Sequence, residues 1–124
     1  MLPYIVIQPD QFSSNLMHNK EIMHQMINLY LGQGRQDFAA LQQAINQHNL
    51  AEIHRTAHHI KPTMQYIGAA DLKNKFQQLE HLASDTQPAN KQHVLESIHQ
   101  LFSSIKKDFE RALEELTHYK ESLA

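Results

Sequence analysis

Apolar residues recur at alternating steps of three and four along most of this 124-residue chain. The clearest series runs from Leu95 to Tyr119. Steps of three and four keep side chains on one face of a helix with 3.6 residues per turn, whereas a half-buried strand needs strict alternation. Only three glycines and four prolines interrupt the chain, which is little turn chemistry for a β fold. The pattern therefore predicts an all-α protein.

Five apolar segments follow one another, and each predicts helix. They cover residues 22–31 (segment A), 38–48 (B), 50–67 (C), 69–83 (D) and 95–119 (E). Gly32 and Gly34 are predicted to end segment A, and Gly68 is predicted to end segment C. Asn49 is predicted to cap segment C, with Glu52 as its capping-box partner.

The short linkers predict that successive helices run antiparallel. We expect an antiparallel up-down four-helix bundle, built from segment A or B together with C, D and E, with an additional N-terminal helix or cover. Residues 1–124 are expected to form one domain, in which residues 1–14 are a lead-in and the core spans about residues 15–119. Pro88 is expected in the first turn of segment E.

Composition and charge exclude several classes of function. The net charge of −2 gives no electrostatic basis for binding nucleic acid or an anionic membrane. The chain has no cysteine, which excludes disulfides and thiolate metal sites. No apolar run approaches the roughly 20 residues of a membrane span, and the apolar start is too short for a signal peptide. We therefore expect a cytoplasmic location, and we also expect a monomer. The unusual feature of the composition is its ten histidines.

Segment C contains the most informative arrangement of histidines. On a helical wheel, one apolar face points to the core and a polar ridge follows one flank of that face. The ridge consists of His54, His58, Lys61 and Gln65. His58 is expected to be exposed and still adjacent to the next helix, whereas His59 falls on the opposite flank.

The return of segment D should give His58 a partner. Folding the chain back about Gly68 brings the residues near position 78 alongside His58, so either Glu80 or Gln77 can accept a hydrogen bond from one imidazole nitrogen. The other nitrogen is then free as a nucleophile. Lys61 places positive charge where a phosphoryl group on that nitrogen would lie. This arrangement suits reversible phosphoryl transfer, and it needs no nucleotide site if partners supply the phosphoryl group. The sequence accordingly has no Gly-rich phosphate loop.

The run from Ala57 to Pro62, followed by Ile67-Gly68-Ala69, resembles the signature of the histidine-containing phosphotransfer (HPt) domain family. That signature is Ala-His-x-(Leu/Ile)-Lys-(Gly/Pro), then five residues and a glycine. The resemblance covers about residues 15–115. It implies a helical bundle in which an exposed His58 is the phosphoacceptor. By their positions, Lys61 is the supporting cation and Glu80 or Gln77 the neighbour on the next helix.

The resemblance also implies partners: the receiver domains of response regulators and a hybrid sensor histidine kinase. The protein would then be a phosphohistidine carrier and not an enzyme. It would need no cofactor of its own, because the receiver domain would supply Mg²⁺. His54, Pro62 and Gln65 would contribute to partner docking. Since proline has no N–H, we expect Pro62 to bend the helix or loosen the turn next to His58.

Three other interpretations stay open at this point. His54 and His58 have the i, i+4 spacing that can share a metal ion, with Glu80 as a third ligand, although the Glu-x-x-His pattern of bundle metal sites is missing. The bundle could also dock a partner without any transfer. A third possibility is the phosphoacceptor part of a histidine kinase, which would require an ATP-binding domain after Ala124.

Two expectations concern residues away from this site. The charged residues from Lys106 to Glu115 are expected to form a solvated face with helical ion pairs. His48 lies in the apolar phase of segment B and is expected at the boundary of the core.

Overall fold

The computed structural model describes residues 4–84 and 91–123. Within these ranges the chain forms five helices and no strand, so the all-α prediction is confirmed. The helices are α1 (Pro9–Asn15), α2 (Lys20–Asn46), α3 (Leu50–Tyr66), α4 (Ala70–Ser84) and α5 (Lys91–Ser122). None of these helices is long and apolar enough to cross a membrane. The first turn expected at Pro88 lies outside the described residues.

The four long helices pack around one core. α2 contacts α3 and α5, and α4 contacts the same two helices, so the four enclose a common apolar interior. α1 lies beside α3 and supplies the predicted N-terminal addition. In segments C, D and E the apolar face is the face that the helix buries, as the spacing predicts. In segment A the prediction is only partly right, because Ile22 and Leu29 are exposed. Side chains that are completely or almost completely buried include Phe12, Ile27, Leu41, Ile53, Phe76, Leu79, Ile98 and Ile105.

The prediction that Gly32 and Gly34 end a helix is wrong. Both lie inside α2, which joins segments A and B into one helix of 27 residues. A glycine in a helix interior costs only about 1 kcal/mol relative to alanine. Apolar side chains on both sides of the glycines, such as Ile27 and Phe38, are buried in the core and offset that cost. Tertiary packing therefore decides the course of α2.

Gly68 ends α3, as predicted. Its φ of +75° lies in the left-handed region, and its N–H donates to the carbonyl of Gln65 at 3.2 Å. The N–H of Ala69 donates to the carbonyl of Met64 at 2.9 Å, which completes a Schellman motif. A Cβ at position 68 would lie 2.8 Å from the Cβ of Gln8 in the lead-in segment. Conformation and close approach thus both require glycine here.

Asn49 caps α3, as predicted, and its side chain accepts a hydrogen bond from the N–H of Glu52 at 3.2 Å. The reciprocal half of the capping box does not form, because the carboxylate of Glu52 pairs with Arg55 at 2.8 Å. The N–H of Asn49 donates instead to the carbonyl of Ala44. The preceding residue, His48, is exposed and not at the core boundary, and its φ of 55° places it in the left-handed region where α2 ends.

The charged residues from Lys106 to Glu115 are predicted to be solvated, and this prediction is wrong for Glu115, which is completely buried. Its carboxylate accepts hydrogen bonds from the backbone N–H groups of Ile5, Val6 and Ile7 at 3.0–3.2 Å. It also accepts from Nε of Arg111 at 2.8 Å. These donors satisfy a buried charge that would otherwise be costly. Glu115 therefore fastens the lead-in segment to α5.

The two glycines of α2 form a matched pair for a stability measurement. Gly32→Ala should raise the free energy of unfolding by about 0.5–1 kcal/mol, because its Cβ meets nothing within 4 Å and alanine favours the helix. Gly34→Ala should stabilise less, since its Cβ would lie 3.4 Å from Cζ of Phe109. Urea denaturation measures both. A destabilising Gly32→Ala would contradict a continuous α2.

Glu115→Gln should lower the free energy of unfolding by about 2–4 kcal/mol. The amide group places N–H donors against the N–H groups of the lead-in and removes the charge that Arg111 faces. The exposed neighbouring variant Glu114→Gln is the control and should change stability by less than about 0.5 kcal/mol. The same denaturation measurement applies, together with amide exchange at Ile5–Ile7. Equal stability of the two variants would contradict the burial of Glu115.

Candidate functional site

His58 lies near the middle of α3 on the side turned away from the core. Its side chain is 67% exposed. The buried residues of the same helix, among them Ala57, Ile60 and Met64, hold α3 against its neighbours. Because the helix is fixed by this apolar face, the imidazole is presented to the outside from a rigid element.

One carboxylate on α4 organises the site. Nδ1 of His58 lies 2.8 Å from Oε1 of Glu80, and Nζ of Lys61 donates to Oε2 of the same carboxylate at 2.9 Å. The side chains of Glu80 and Lys61 are 15% and 22% exposed, so the orienting pair is far more buried than the histidine. Of the two neighbours that the sequence left open, the structure places Glu80 on His58. Gln77 is exposed and lines the same open depression as Glu80.

The ionisation of Glu80 defines the direction of the hydrogen bond. Burial by itself would raise the pKa of Glu80, but hydrogen bonds from Lys61 and His58 outweigh this effect and hold the pKa below its usual value of 4.5. A carboxylate is an acceptor only. Nδ1 of His58 therefore carries a proton and donates it to Glu80. In the neutral form of the ring, Nε2 is then the nitrogen that holds the lone pair.

His54 also makes contact with Glu80, through the main chain. Its Nδ1 lies 3.0 Å from the carbonyl oxygen of Glu80. The imidazole rings of His54 and His58 are parallel, with an interplanar angle of 7° and centroids 6.4 Å apart. Helical phase predicts the alignment of the two histidines along one ridge. It gives no signal for the carbonyl partner, because that contact depends on the exact placement of α4.

Pro62 and Gln65 are exposed on the C-terminal part of α3, which continues through Pro62 to Tyr66. They line a surface pocket of about 270 Å³ together with Tyr66 and residues of α1. Asn15 of α1 donates to the carbonyl of Tyr66 at 3.1 Å, which holds α1 against this end of α3. Sequence reasoning missed the contribution of Tyr66 and α1, because α1 has seven residues with Phe12 as its buried residue, too few for an apolar periodicity. Pro62 itself offers no N–H to the carbonyl of His58.

His59, one residue away from His58, lies in a different environment. Nε2 of His59 is 3.5 Å from Oδ2 of Asp37 on α2. His59 thus belongs to the groove between α2 and α3, whereas His58 faces α4. The two adjacent histidines are clearly separated by their partners.

The metal-binding alternative has little support in the described part of the chain. No group of three or more histidine, cysteine, aspartate or glutamate side chains there could hold a metal ion. In particular, the carboxylate of Glu80 is engaged by His58 and Lys61, and His54 contacts the carbonyl of Glu80.

Comparison with known protein families agrees with the geometry. The family model of the Hpt domain matches residues 25–119, which is most of the chain. The protein therefore belongs to the Hpt domain family, as the motif around His58 predicts. Hpt domains are phosphotransfer modules of two-component signalling, and they are phosphocarriers and not kinases. Searches of curated proteins and of solved structures found no match.

The hydrogen bond from Lys61 can be tested through the titration of Glu80. Because the pKa of Glu80 is lowered in the folded protein, its contribution to stability is present above pH 4.5 and is lost as the pH falls through the lowered value. Lys61→Met should raise the pKa of Glu80, since burial is then less opposed. The carboxyl ¹³C signal of Glu80 reports this titration.

Lys73→Met is the matched control, because Lys73 lies on α4 and has no ion pair with Glu80. It should leave the titration of Glu80 unchanged. An unchanged titration in Lys61→Met would contradict the Lys61–Glu80 hydrogen bond.

Proposed function

We propose that this protein is a phosphorelay intermediate that carries a phosphoryl group on Nε2 of His58. The observation that carries the proposal is the hydrogen bond from Nδ1 of an exposed His58 to the carboxylate of Glu80 at 2.8 Å. This bond occupies one ring nitrogen and leaves the other with its lone pair. The membership of the Hpt family supports the same chemistry.

The proposed transfer is an in-line displacement at phosphorus. Nε2 of His58 attacks the phosphorus of an aspartyl phosphate, an N–P bond forms, and the P–O bond to the aspartyl carboxylate breaks. The carboxylate leaves with the electron pair. The imidazole ring then bears a positive charge, and Glu80 stabilises it through the retained Nδ1–H bond. In the reverse direction a receiver carboxylate attacks the phosphorus, and the N–P electrons return to Nε2.

Lys61 contributes charge support in this mechanism. Its ammonium group balances the carboxylate of Glu80 at 2.9 Å. Without that balance, the residue that orients His58 would repel an incoming phosphoryl group. Gln77, exposed on the same side of α4, is proposed only as a neighbour that a docked partner can contact.

The partners follow from the same proposal. The phosphoryl donors and acceptors would be receiver domains of response regulators, which bring Mg²⁺, and a hybrid sensor histidine kinase. His54, Pro62 and Gln65 surround His58 along α3 and are proposed to contribute to docking. We place the protein in the cytoplasm as a monomeric carrier, one domain over residues 1–124, with no enzymatic activity and no cofactor of its own.

The up-down course of the bundle belongs to this proposal as well. Two contacts between α2 and α5 support it, because they run in opposite sequence order. Asn28 accepts a hydrogen bond from Lys120 at 3.0 Å, whereas the later residue Phe38 stacks on the earlier residue Phe102. A rigid bundle of this kind would hold His58 at a constant distance from its docking surface.

Incubation with a phosphorylated receiver domain and Mg²⁺ should label the protein with a phosphate that is labile in acid and stable in base. His58→Gln should abolish labelling, because it removes the nucleophilic nitrogen. His59→Gln is the matched control and should still be labelled, since His59 faces Asp37. Labelling of His58→Gln but not of His59→Gln would contradict the assignment. A wild-type protein that no receiver labels would favour docking without transfer.

A further inference from the structure

We infer that His54 is a second functional histidine, which takes up a proton when His58 is phosphorylated and holds the phosphoryl group by charge. This inference rests on the proposed function and adds a residue that acts on the same phosphoryl group. The starting observation is that one residue of α4 orients both rings. Glu80 binds His58 through its carboxylate and His54 through its main-chain carbonyl.

The tautomer of His54 is defined by its partner. A carbonyl oxygen can only accept a hydrogen bond, so Nδ1 of His54 carries a proton and donates it to Glu80 at 3.0 Å. Nε2 of the neutral ring therefore holds a lone pair. Any further proton that His54 binds must be added at Nε2.

The geometry places that nitrogen beside the phosphorylation site. Both rings direct Nδ1 toward α4, and they are parallel with centroids 6.4 Å apart. Nε2 of each ring is therefore the nitrogen that Glu80 leaves without a contact. Since the ring centroids are 6.4 Å apart, a phosphoryl group on Nε2 of His58 would lie at about that distance from the ring of His54. At that separation, one water molecule can bridge an Nε2–H donor and a phosphoryl oxygen.

The charge balance of the site identifies the need for a further cation. Before transfer, the negative charge of Glu80 is matched by Lys61 at 2.9 Å. Transfer adds a phosphoryl group with two negative charges and leaves one positive charge on the ring of His58. The site thus gains one net negative charge. Uptake of a single proton from solvent at Nε2 of His54 restores neutrality.

Two other basic side chains of α3 are already engaged. Arg55 makes hydrogen bonds to the carboxylate of Glu52 with both Nε and a terminal nitrogen. His59 lies on the opposite flank of α3, against Asp37.

Within residues 4–84 and 91–123, four titratable groups face His54. On α3 they are His58 and Lys61, and across the depression on α4 they are Glu80 and His81. His81 is exposed on α4. Of His54 and His81, His54 is the one whose ring contacts Glu80 and lies parallel to the ring of His58. A charge pair at about 6 Å near a protein surface shifts a binding equilibrium by at least about threefold.

The experiment uses phosphoramidate, a small reagent that phosphorylates histidine without a receiver domain. Protein labelled with ¹⁵N at histidine is titrated by NMR before and after phosphorylation of His58. We expect the titration midpoint of the His54 ring to move to higher pH by about one unit on phosphorylation. His59 serves as the internal control and should move much less. By reciprocity, protonation of His54 favours the phosphorylated state by the same factor.

A second measurement follows phosphoryl exchange between His58 and free imidazole at equilibrium, by ³¹P NMR. At pH 6 the wild type should retain the phosphoryl group about tenfold better than His54→Gln, and above pH 8 the two should agree. His54→Lys should retain it at both pH values, because its charge does not depend on pH in this range. A merely structural role of His54 would give the same ratio at every pH and no rescue by lysine.

The outcomes separate the two proposals. If phosphoramidate labels His58 but the titration of His54 and the exchange ratios do not change, the role of His54 is wrong and the proposed function stands. If His58 is not labelled, both proposals fail. Folding of the variants is checked by the dispersion of their NMR spectra.

Discussion

The turn at Gly68 is the constraint on which the site depends. The Schellman motif stops α3 and sets where α4 begins, and that register decides which residue of α4 meets His58. Backbone conformation alone does not fix the turn. Gln8 of the lead-in donates its N–H to the carbonyl of Ile67 at 3.1 Å and leaves no room for a Cβ at position 68. The lead-in therefore acts on the site from a distance, because it packs on the turn that positions Glu80.

The site combines a rigid orienting group with an accessible nucleophile. Glu80 and Lys61 are mostly buried, and they are charge-balanced before any partner arrives. His58 projects beyond them and remains exposed. Such an arrangement keeps the reorganisation needed during transfer small, since the ring and its proton are already in place. The partner then needs to approach only one nitrogen.

Much of this arrangement could be predicted from the sequence, and the exceptions have physical reasons. The spacing around Gly68 predicted that His58 meets α4 near Glu80, because helix geometry and a short turn leave little freedom. It could not separate Glu80 from Gln77, since these residues differ by less than one turn. The continuity of α2 through Gly32 was missed because local glycine signals are weaker than the burial on either side. The burial of Glu115 was missed because its donors lie in the lead-in, far away in sequence.

The hydrogen bonds between Glu115 and the backbone of residues 5–7 have a consequence for how the fold forms. The carboxylate and the amide of Ile5 are separated by 110 positions, so their contact closes a loop of almost the whole chain. Closing such a loop costs more conformational entropy than forming a contact between residues that are close in sequence. The hydrogen bonds to Glu115 offset this cost only once α5 has formed. The two ends are then joined into one cooperative unit. Fraying of α5 near Glu115 would release the lead-in and, with it, the packing of Gln8 on the turn at Gly68.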